Sequence, residues 1–299
     1  MNFLLTGSSG YLGTEIYRNL SIKNKVLRIG RSKSNDIVKS LTCRIPNSVK
    51  IPYDIDFVIH SAGLAHNKHK NESIDYEKVN YIGTKNLCEW IESFNQKPKN
   101  FVFISSVAVY GLKTGNLIDE NHPLDGKSAY SKSKIKAEKF LQIWAKKYNI
   151  KLLILRLPLI FSFNPPGNLF RMINSIKNGS YLSIGNGNAE KSIVFASDIA
   201  KFLSKINNQD GTYNLTDGKK YKIRDIEESI CCKLNKPKPF GIPIWLARLF
   251  GILGDILIFL PVNSDKIDKL SNNLTFSDKK ARKKLKWNPS GDLKNWKII

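Results

Sequence analysis

The chain has 299 residues, 41% hydrophobic and 24% charged, which is the make-up of a folded protein with a sizeable core and not of a disordered one. Its net charge of +23 comes mostly from lysines spread along the whole length. With no basic arm and no basic stretch interleaved with aromatics, this argues for a solvated lysine-rich surface and against a nucleic-acid partner.

Other simple classes are also set aside. Cys43, Cys88, Cys231 and Cys232 show neither a disulfide framework nor metal-ligand spacing. His66 and His69 could face one ligand but lack partner cysteines or carboxylates, so no metal is expected. The opening MNFLLTGSSG lacks the charged and long apolar regions of a signal peptide, and a cytoplasmic protein is expected.

Taken in chain order, the first half alternates strand-like and helix-like segments. Asn2–Thr6 is a short apolar run of strand length, Gly7–Gly13 a glycine-rich turn, and Tyr11–Leu20 a segment with helical periodicity. Lys25–Gly30 and Phe57–His60 read as strands, the latter ending in Ser61-Ala62-Gly63. A long helix is predicted over Tyr76–Phe94, with Val79, Leu87 and Ile91 on one apolar face. A strand at Phe101–Ser105, a helix at Ala129–Tyr148 and a strand at Leu152–Leu155 follow. This alternation predicts βαβ units and an α/β fold, a doubly wound parallel sheet covered on both faces.

From Pro158 the texture changes to loops rich in Asn, Gly and Pro, at Asn164–Asn168 and Gly185–Asn188. The expected division is a dinucleotide-binding domain over 1–160 and a smaller substrate lobe over 161–299, interleaved with the first. Phe240–Leu260 is the most apolar stretch, but Arg248, Asp255, Gly251 and Gly254 interrupt it. A buried or amphipathic helix pair is expected there, with peripheral membrane contact as the lesser alternative and no spanning helix. LTFSDKKARKKLKWNPS reads as a strand, a capped basic helix and a turn.

Two constellations carry chemistry. Thr6-Gly7-Ser8-Ser9-Gly10-Tyr11-Leu12-Gly13 follows a strand and opens a helix, the order a pyrophosphate site requires. Gly7 permits the tight turn, Gly10 the close approach of a phosphate, and Gly13 the packing of helix on sheet, while the helix N-terminus offers free N–H groups. Strand Lys25–Gly30 then ends in Arg31-Ser32, where an acidic residue would serve an adenosine ribose. A guanidinium suits a 2′-phosphate, so NADP is favoured over NAD, with Asp36 not placed well enough to decide. In the second constellation, Tyr130 and Lys134 stand four residues apart on one helix face. A free phenol titrates near pH ~10, and a nearby ammonium would lower that value and fit Tyr130 for acid–base work. Ser105 and Ser106 end the preceding strand at the carboxyl edge of the sheet, where a serine could position the same reacting oxygen.

On these motifs the chain resembles the extended short-chain dehydrogenase/reductases, in particular the NAD-dependent epimerase/dehydratase group acting on nucleotide sugars. TGSSGYLG is similar to that family's cofactor loop, VIHSAG to its second cofactor-side strand end, and VNYIGTKNLCE to its helix with a cofactor-side Asn, here Asn80. FISSVAVYG resembles its catalytic strand, which places the Ser/Thr position on Ser106 and not Ser105. YSKSK supplies Tyr130 and Lys134, and LRLPLIF places Pro158 beside the nicotinamide.

The resemblance implies a Rossmann-type fold and NAD or NADP held by Gly7, Ser9, Gly10, Tyr11, Leu12, Gly13, Arg31, Ser61, Ala62, Gly63, Asn80, Tyr130, Lys134 and Pro158. It implies a catalytic Ser106–Tyr130–Lys134 set, and substrate contacts from Ser106, Asn168 and Lys191, where the family carries an arginine at the last position. It also implies a homodimer paired through the Tyr76–Phe94 and Ala129–Tyr148 helices.

The departures are a short Cys43–Asp56 segment without the family's adenine-facing Asp, and Leu159 where many 4-epimerases carry Asn. HSAGLAH and RLPLIF are closer to a subgroup acting on N-acetylated or 6-deoxy UDP-sugars. The implied activity is 4-epimerisation of a UDP-hexose through a transient 4-keto sugar, with an NADPH-dependent 4-keto-sugar reductase as the alternative. A dehydratase is disfavoured by Val107-Ala108, where that chemistry wants Asp-Glu. A non-enzymatic cofactor-binding regulator is disfavoured because Tyr130 and Lys134 are both present.

Overall fold

The apolar runs become the buried strands of a central sheet. The computed structural model describes residues 1–65, 72–256 and 263–298. Along the chain come β1 (Asn2–Thr6), β2 (Lys25–Gly30), β3 (Ile37–Val38), β4 (Phe57–His60), β5 (Asn100–Ser106), β6 (Gly115–Ile118) and β7 (Lys151–Leu157). They are followed by β8 (Leu159–Phe161), β9 (Leu182–Ile184), β10 (Glu190–Lys191), β11 (Ile193–Phe195) and β12 (Gly211–Asn214). The last three are β13 (Tyr221–Lys222), β14 (Phe240–Ile242) and β15 (Leu274–Phe276).

Seven strands form a sheet in the order β12-β7-β5-β4-β1-β2-β3, every pair parallel. This is the expected Rossmann-type arrangement. The chain winds outward from β1 to β3, then crosses back to place β4 on the other side of β1. The carboxyl ends of β1 and β4 therefore flank the point where winding reverses, the place where open α/β sheets bind ligands.

The alternation of side chains builds the two faces. Phe3 and Leu5 point to one, packed with Ile16, Leu20, Ile199 and Leu203, and Leu4 points to the other, packed with Leu87, Trp90, Leu141 and Trp144. Strands cross between the halves of the chain. β12 extends the main sheet beside β7, while β6 sits in a four-stranded sheet of order β13-β10-β15-β6. Two tryptophans tie the last segment back: Trp287 Nε1 donates to Thr216 O and Trp296 Nε1 to Ser162 O, each at 2.7 Å.

Three segments differ from expectation. The long helix predicted over Tyr76–Phe94 is an α-helix at Glu72–Tyr76, a π-helical turn at Glu77–Ile82 and an α-helix at Gly83–Glu92. The widened turn carries Asn80, whose side chain is drawn inward by partners described below; such turns often mark functional positions. The apolar Phe240–Leu260 stretch forms β14 and one helix, Ile244–Ile256, with residues 257–262 outside the described set. Of the two alternatives expected there the buried one is not found: apart from Ala247 and Gly251, the described side chains of that helix are mostly exposed. The basic helix Lys279–Leu285 follows Asp278, whose carboxylate accepts from Arg282 Nε at 3.0 Å and not from the helix backbone.

Candidate active site

A cleft of about 870 Å³ opens at the carboxyl ends of β1 and β4. It is lined by Gly7, Ser9, Gly10, Tyr11, Leu12 and Gly13, by Arg31 beyond β2, and by Ser61, Ala62 and Gly63 beyond β4. Ser106, Tyr130, Lys134, Pro158 and Asn168 complete the predicted residues that it brings together. Two predicted residues are not among its lining. Asn80 is buried behind it, and Lys191 Nζ donates to Asn272 O at 2.6 Å. His66 and His69 lie outside the described residues, and among the described residues no cluster of His, Cys, Asp or Glu could hold a metal.

The glycine loop has the shape its spacing requires. Gly7 has φ of +73°, and a Cβ there would stand 2.6 Å from Ala62 N. A Cβ on Gly13 would lie 1.9 Å from Gly7 O, so this glycine packs the helix against the turn itself and not, as expected, against the sheet. The loop and the first turn of the Tyr11–Leu20 helix thus form one closely fitted unit, with Gly10 as the helix N-cap. The helix start supplies unpaired N–H groups at the cleft wall.

At the catalytic end, Tyr130 sits on the Ala129–Lys147 helix, which Ser128 caps by accepting from Ser131 N at 3.1 Å. Its phenol has the Ser106 side chain as a close polar neighbour, and its ring meets Tyr76 edge-on at 5.7 Å. Burial raises the Tyr130 phenol, and the neighbouring Ser106 hydroxyl only partly opposes this. The ammonium of Lys134 is not among the groups that act on it, so the expected lowering by Lys134 is not found.

Lys134 Nζ donates to Ile104 O at 2.8 Å and lies over the Phe103 ring at 4.6 Å. Burial pulls it down to about 8, with Glu138 opposing. Tyr11, predicted as a cofactor-loop residue, also comes close to Tyr130: its phenol is pushed up by burial and by Tyr130.

Two buried polar networks hold this end in place. Ser105 Oγ donates to Glu138 Oε1 at 2.5 Å, which accounts for Ser106 and not Ser105 reaching Tyr130. Glu138 also accepts from Arg156 Nη2 at 2.7 Å, Arg156 Nη1 donates to Tyr110 at 3.1 Å, and Tyr110 donates to Asn214 Oδ1 at 2.8 Å. β5, β7, β12 and the Tyr130 helix are thereby joined.

The second network lies under the Ser61–Gly63 loop. Ala62 N donates to Thr6 Oγ1, Thr6 Oγ1 meets His60 Nδ1 at 2.7 Å, and His60 Nε2 meets Thr84 Oγ1 at 2.9 Å. Thr84 spends its proton on Asn80 O at 2.7 Å, so it accepts from His60 Nε2–H, and Nδ1 accepts from Thr6. Burial, and secondarily Lys134, pushes His60 down to about 3 and keeps it neutral. Asn80 then explains itself. Oδ1 accepts from Leu64 N at 2.7 Å, and Nδ2 donates to Leu64 O and to Ser133 Oγ, each at 3.0 Å. It positions the loop and the catalytic helix without reaching the cleft.

At the opposite end of the cleft lie Arg31, Ser32, Asn35, Lys39, Ser40 and Thr42. Asp36, left open by the sequence, is committed elsewhere: its carboxylate accepts from Arg28 Nη2 at 2.9 Å and from Arg28 N at 2.8 Å. Among the described residues the lining holds Arg31, Lys39, Lys134 and Lys269 and no carboxylate. Lys39 and Lys269 were missed by sequence reasoning because no local motif marks them. Lys269 belongs to the Ser264–Ser271 helix and also bonds Asp265 Oδ2 at 2.5 Å.

A glycine turn, a helix N-terminus and a carboxylate-free wall together fit a dinucleotide. The sequence model of the NAD dependent epimerase/dehydratase family matches residues 3–216.

The chain belongs to this family.

Family membership makes it an enzyme of the NAD(P)-dependent class, as the resemblance implied. It is 30% identical over 267 residues to N-acetyl-alpha-D-glucosaminyl-diphospho-ditrans,octacis-undecaprenol 4-epimerase of Escherichia coli O157:H7, covering 86% of this chain and 80% of that one. It is 26% identical to UDP-glucose 4-epimerase of Vibrio cholerae, covering 98% and 92%. Among solved structures it shares the fold of UDP-glucuronic acid 4-epimerase from Bacillus cereus in complex with UDP-glucuronic acid and NAD. That match has a TM-score of 0.78 at 18% identity and covers 99% of this chain and 96% of the other. RMD from Pseudomonas aeruginosa complexed with NADPH gives a TM-score of 0.76 at 18% identity, with the same coverage.

Proposed function

We propose that the chain is an NAD(P)-dependent 4-epimerase of a diphosphate-linked sugar, a nucleotide sugar of the UDP-hexose type, working through a transient 4-keto sugar. The observation that carries this reading is the meeting of Ser106, Tyr130 and Lys134 in one cleft whose lining, among the described residues, holds no carboxylate. Gly7–Gly13 and the Ser61–Gly63 loop would hold the dinucleotide, with Pro158 and Lys134 at its nicotinamide end. When bound, the nicotinamide supplies hydride acceptance and return at C4. Tyr130 takes the C4 hydroxyl proton and later returns it, while Ser106 orients the same oxygen. Lys134, anchored on Ile104 O and lining the same cleft, would reach the cofactor. Asn168 and Lys269, which line the cleft, would meet the diphosphate.

NADP is the preferred cofactor in this reading. Arg31 and Lys39 line the far end, and the nearest candidate carboxylate, Asp36, is held by Arg28. The same observation favours a second reading, a 4-keto-sugar reductase that spends NADPH. Incubation with UDP-hexoses, including N-acetylated and 6-deoxy forms, tests both. Epimerisation gives the C4 epimer with no net change at the reduced-nicotinamide absorbance. Stoichiometric loss of that absorbance on a 4-keto sugar would replace the first reading by the second. A polyprenyl diphosphate carrier, as in the name of the Escherichia coli relative, belongs in the same substrate panel.

The homodimer is also part of the proposal. Ile143 is 74% exposed on the Ala129–Lys147 helix, one of the two expected to pair. Ile143→Glu should then convert a dimer to a monomer in light-scattering chromatography.

A further inference from the structure

The Ile244–Ile256 helix is turned inside out. Ala247 and Gly251, one turn apart, face the protein; a Cβ on Gly251 would meet Ile267 Cδ1 and Ser264 Cα at 3.2 Å, so the helix packs closely against Ser264–Ser271. The side chains on the far arc are apolar and open to solvent: Trp245 66%, Leu249 49%, Phe250 44%, Ile252 56% and Leu253 39% exposed. At about 100° per residue they sweep roughly 160° of the helix surface, opposite the small-residue face, with exposed Arg248 and Asp255 at its margin. The patch continues onto neighbouring strands, where Phe240 (76% exposed) pairs in register with Leu182 (49% exposed). Apolar side chains gathered this way are not ordinary scattered surface residues.

Charge selects what covers the patch. The chain carries +23, and exposed Lys236 and Lys238 lead into Phe240. An anionic bilayer attracts a surface of this charge. No helix among the described residues is long and apolar enough to cross a membrane, so the contact is with the surface. We propose that the Ile244–Ile256 helix, with Phe240 and Leu182, docks the protein on the interface of an anionic lipid bilayer, its apolar arc sunk to the level of the headgroups. The Ser264–Ser271 helix beneath it contributes Lys269 to the cleft, so docking would bring the sugar-binding end close to the membrane surface. The inference goes beyond the proposed activity and holds whichever sugar is bound.

The test uses the full chain and extruded vesicles of phosphatidylcholine with and without phosphatidylglycerol. Co-sedimentation should be about tenfold or more stronger with the anionic lipid, and should weaken as salt is raised. The triple variant Leu249→Gln, Phe250→Gln, Leu253→Gln should lose about tenfold or more of that binding while keeping its thermal transition, because all three side chains are exposed. Trp245 offers an independent readout, since Trp90, Trp144, Trp287 and Trp296 are at most 7% exposed. Anionic vesicles should shift the emission of the wild type to the blue, and Trp245→Phe should abolish the shift. Failure of the wild type to bind anionic vesicles, or equal binding by the triple variant, overturns the proposal. So does a dimer, formed without lipid, that the triple variant splits, which would assign the patch to a second copy of the chain.

Discussion

The two ends of the cleft are built by different means. At the Tyr130 end the supporting polar groups are buried and engaged: Ser105 on Glu138, Lys134 on Ile104, Asn80 on Leu64 and Ser133. At the Arg31 end, buried Asn35 apart, the polar groups are exposed or half-buried cations and hydroxyls. A proton in transit requires atoms fixed to a fraction of an ångström, whereas a phosphate is attracted by charge and tolerates looser placement. Order is concentrated where the proposed reaction would change bonds.

The largest effect should come at the fixed end. Tyr130→Phe should lower kcat by about 10²–10⁴-fold with nucleotide affinity nearly unchanged, as read by steady-state kinetics and cofactor titration. A nearly active variant would remove Tyr130 from the chemistry and the contrast with it. Next in size is the network behind it. Glu138→Ala leaves Arg156 buried without its partner and should cost about 3–5 kcal/mol in denaturant unfolding.

His60 should make this end acid-sensitive. Its pKa is lowered in the fold, so the unfolded chain binds the extra proton. The contribution is whole above about pH 6.5 and is lost as pH falls toward about 3, on the order of a few kcal/mol. Urea midpoints measured across that window should fall for the wild type more than for His60→Gln. The smallest effect belongs to the loose end. Arg31→Ala or Lys39→Ala should weaken NADP binding by about tenfold and leave NAD binding almost unaltered, because an exposed cation contributes about 1 kcal/mol to holding a phosphate. Equal losses for both nucleotides would show that these cations do not read the 2′-phosphate.

Local features of the sequence carried much of this. The apolar strand runs, the glycine loop and the spacing of Tyr130 and Lys134 are properties of contiguous residues, and each appears where its pattern predicts. What stayed hidden depends on partners distant in the chain. The π-turn at Asn80 exists because Leu64 and Ser133 lie across from it. β12 reaches the main sheet by pairing with β7, and Lys269 reaches the cleft from a helix whose pattern says nothing about direction. The Ile244–Ile256 helix is apolar around most of its circumference, and such a pattern does not tell an inward face from an outward one.

The line of hydrogen bonds from Ala62 to Asn80 through His60 has a direction, and direction restricts spelling. Position 6 must accept from an amide and donate to a ring nitrogen at once; position 84 must accept from the ring and donate to a carbonyl. Only a hydroxyl does both, so Ser is the sole substitute for Thr at either place. The near-isosteric valine, at Thr6, would strand two polar groups with one atom. His60 reads as a word with an acceptor first and a donor second, which a glutamine turned the right way can also spell. The floor of the Ser61–Gly63 loop is thus written in a small alphabet, chosen by the order of its protons.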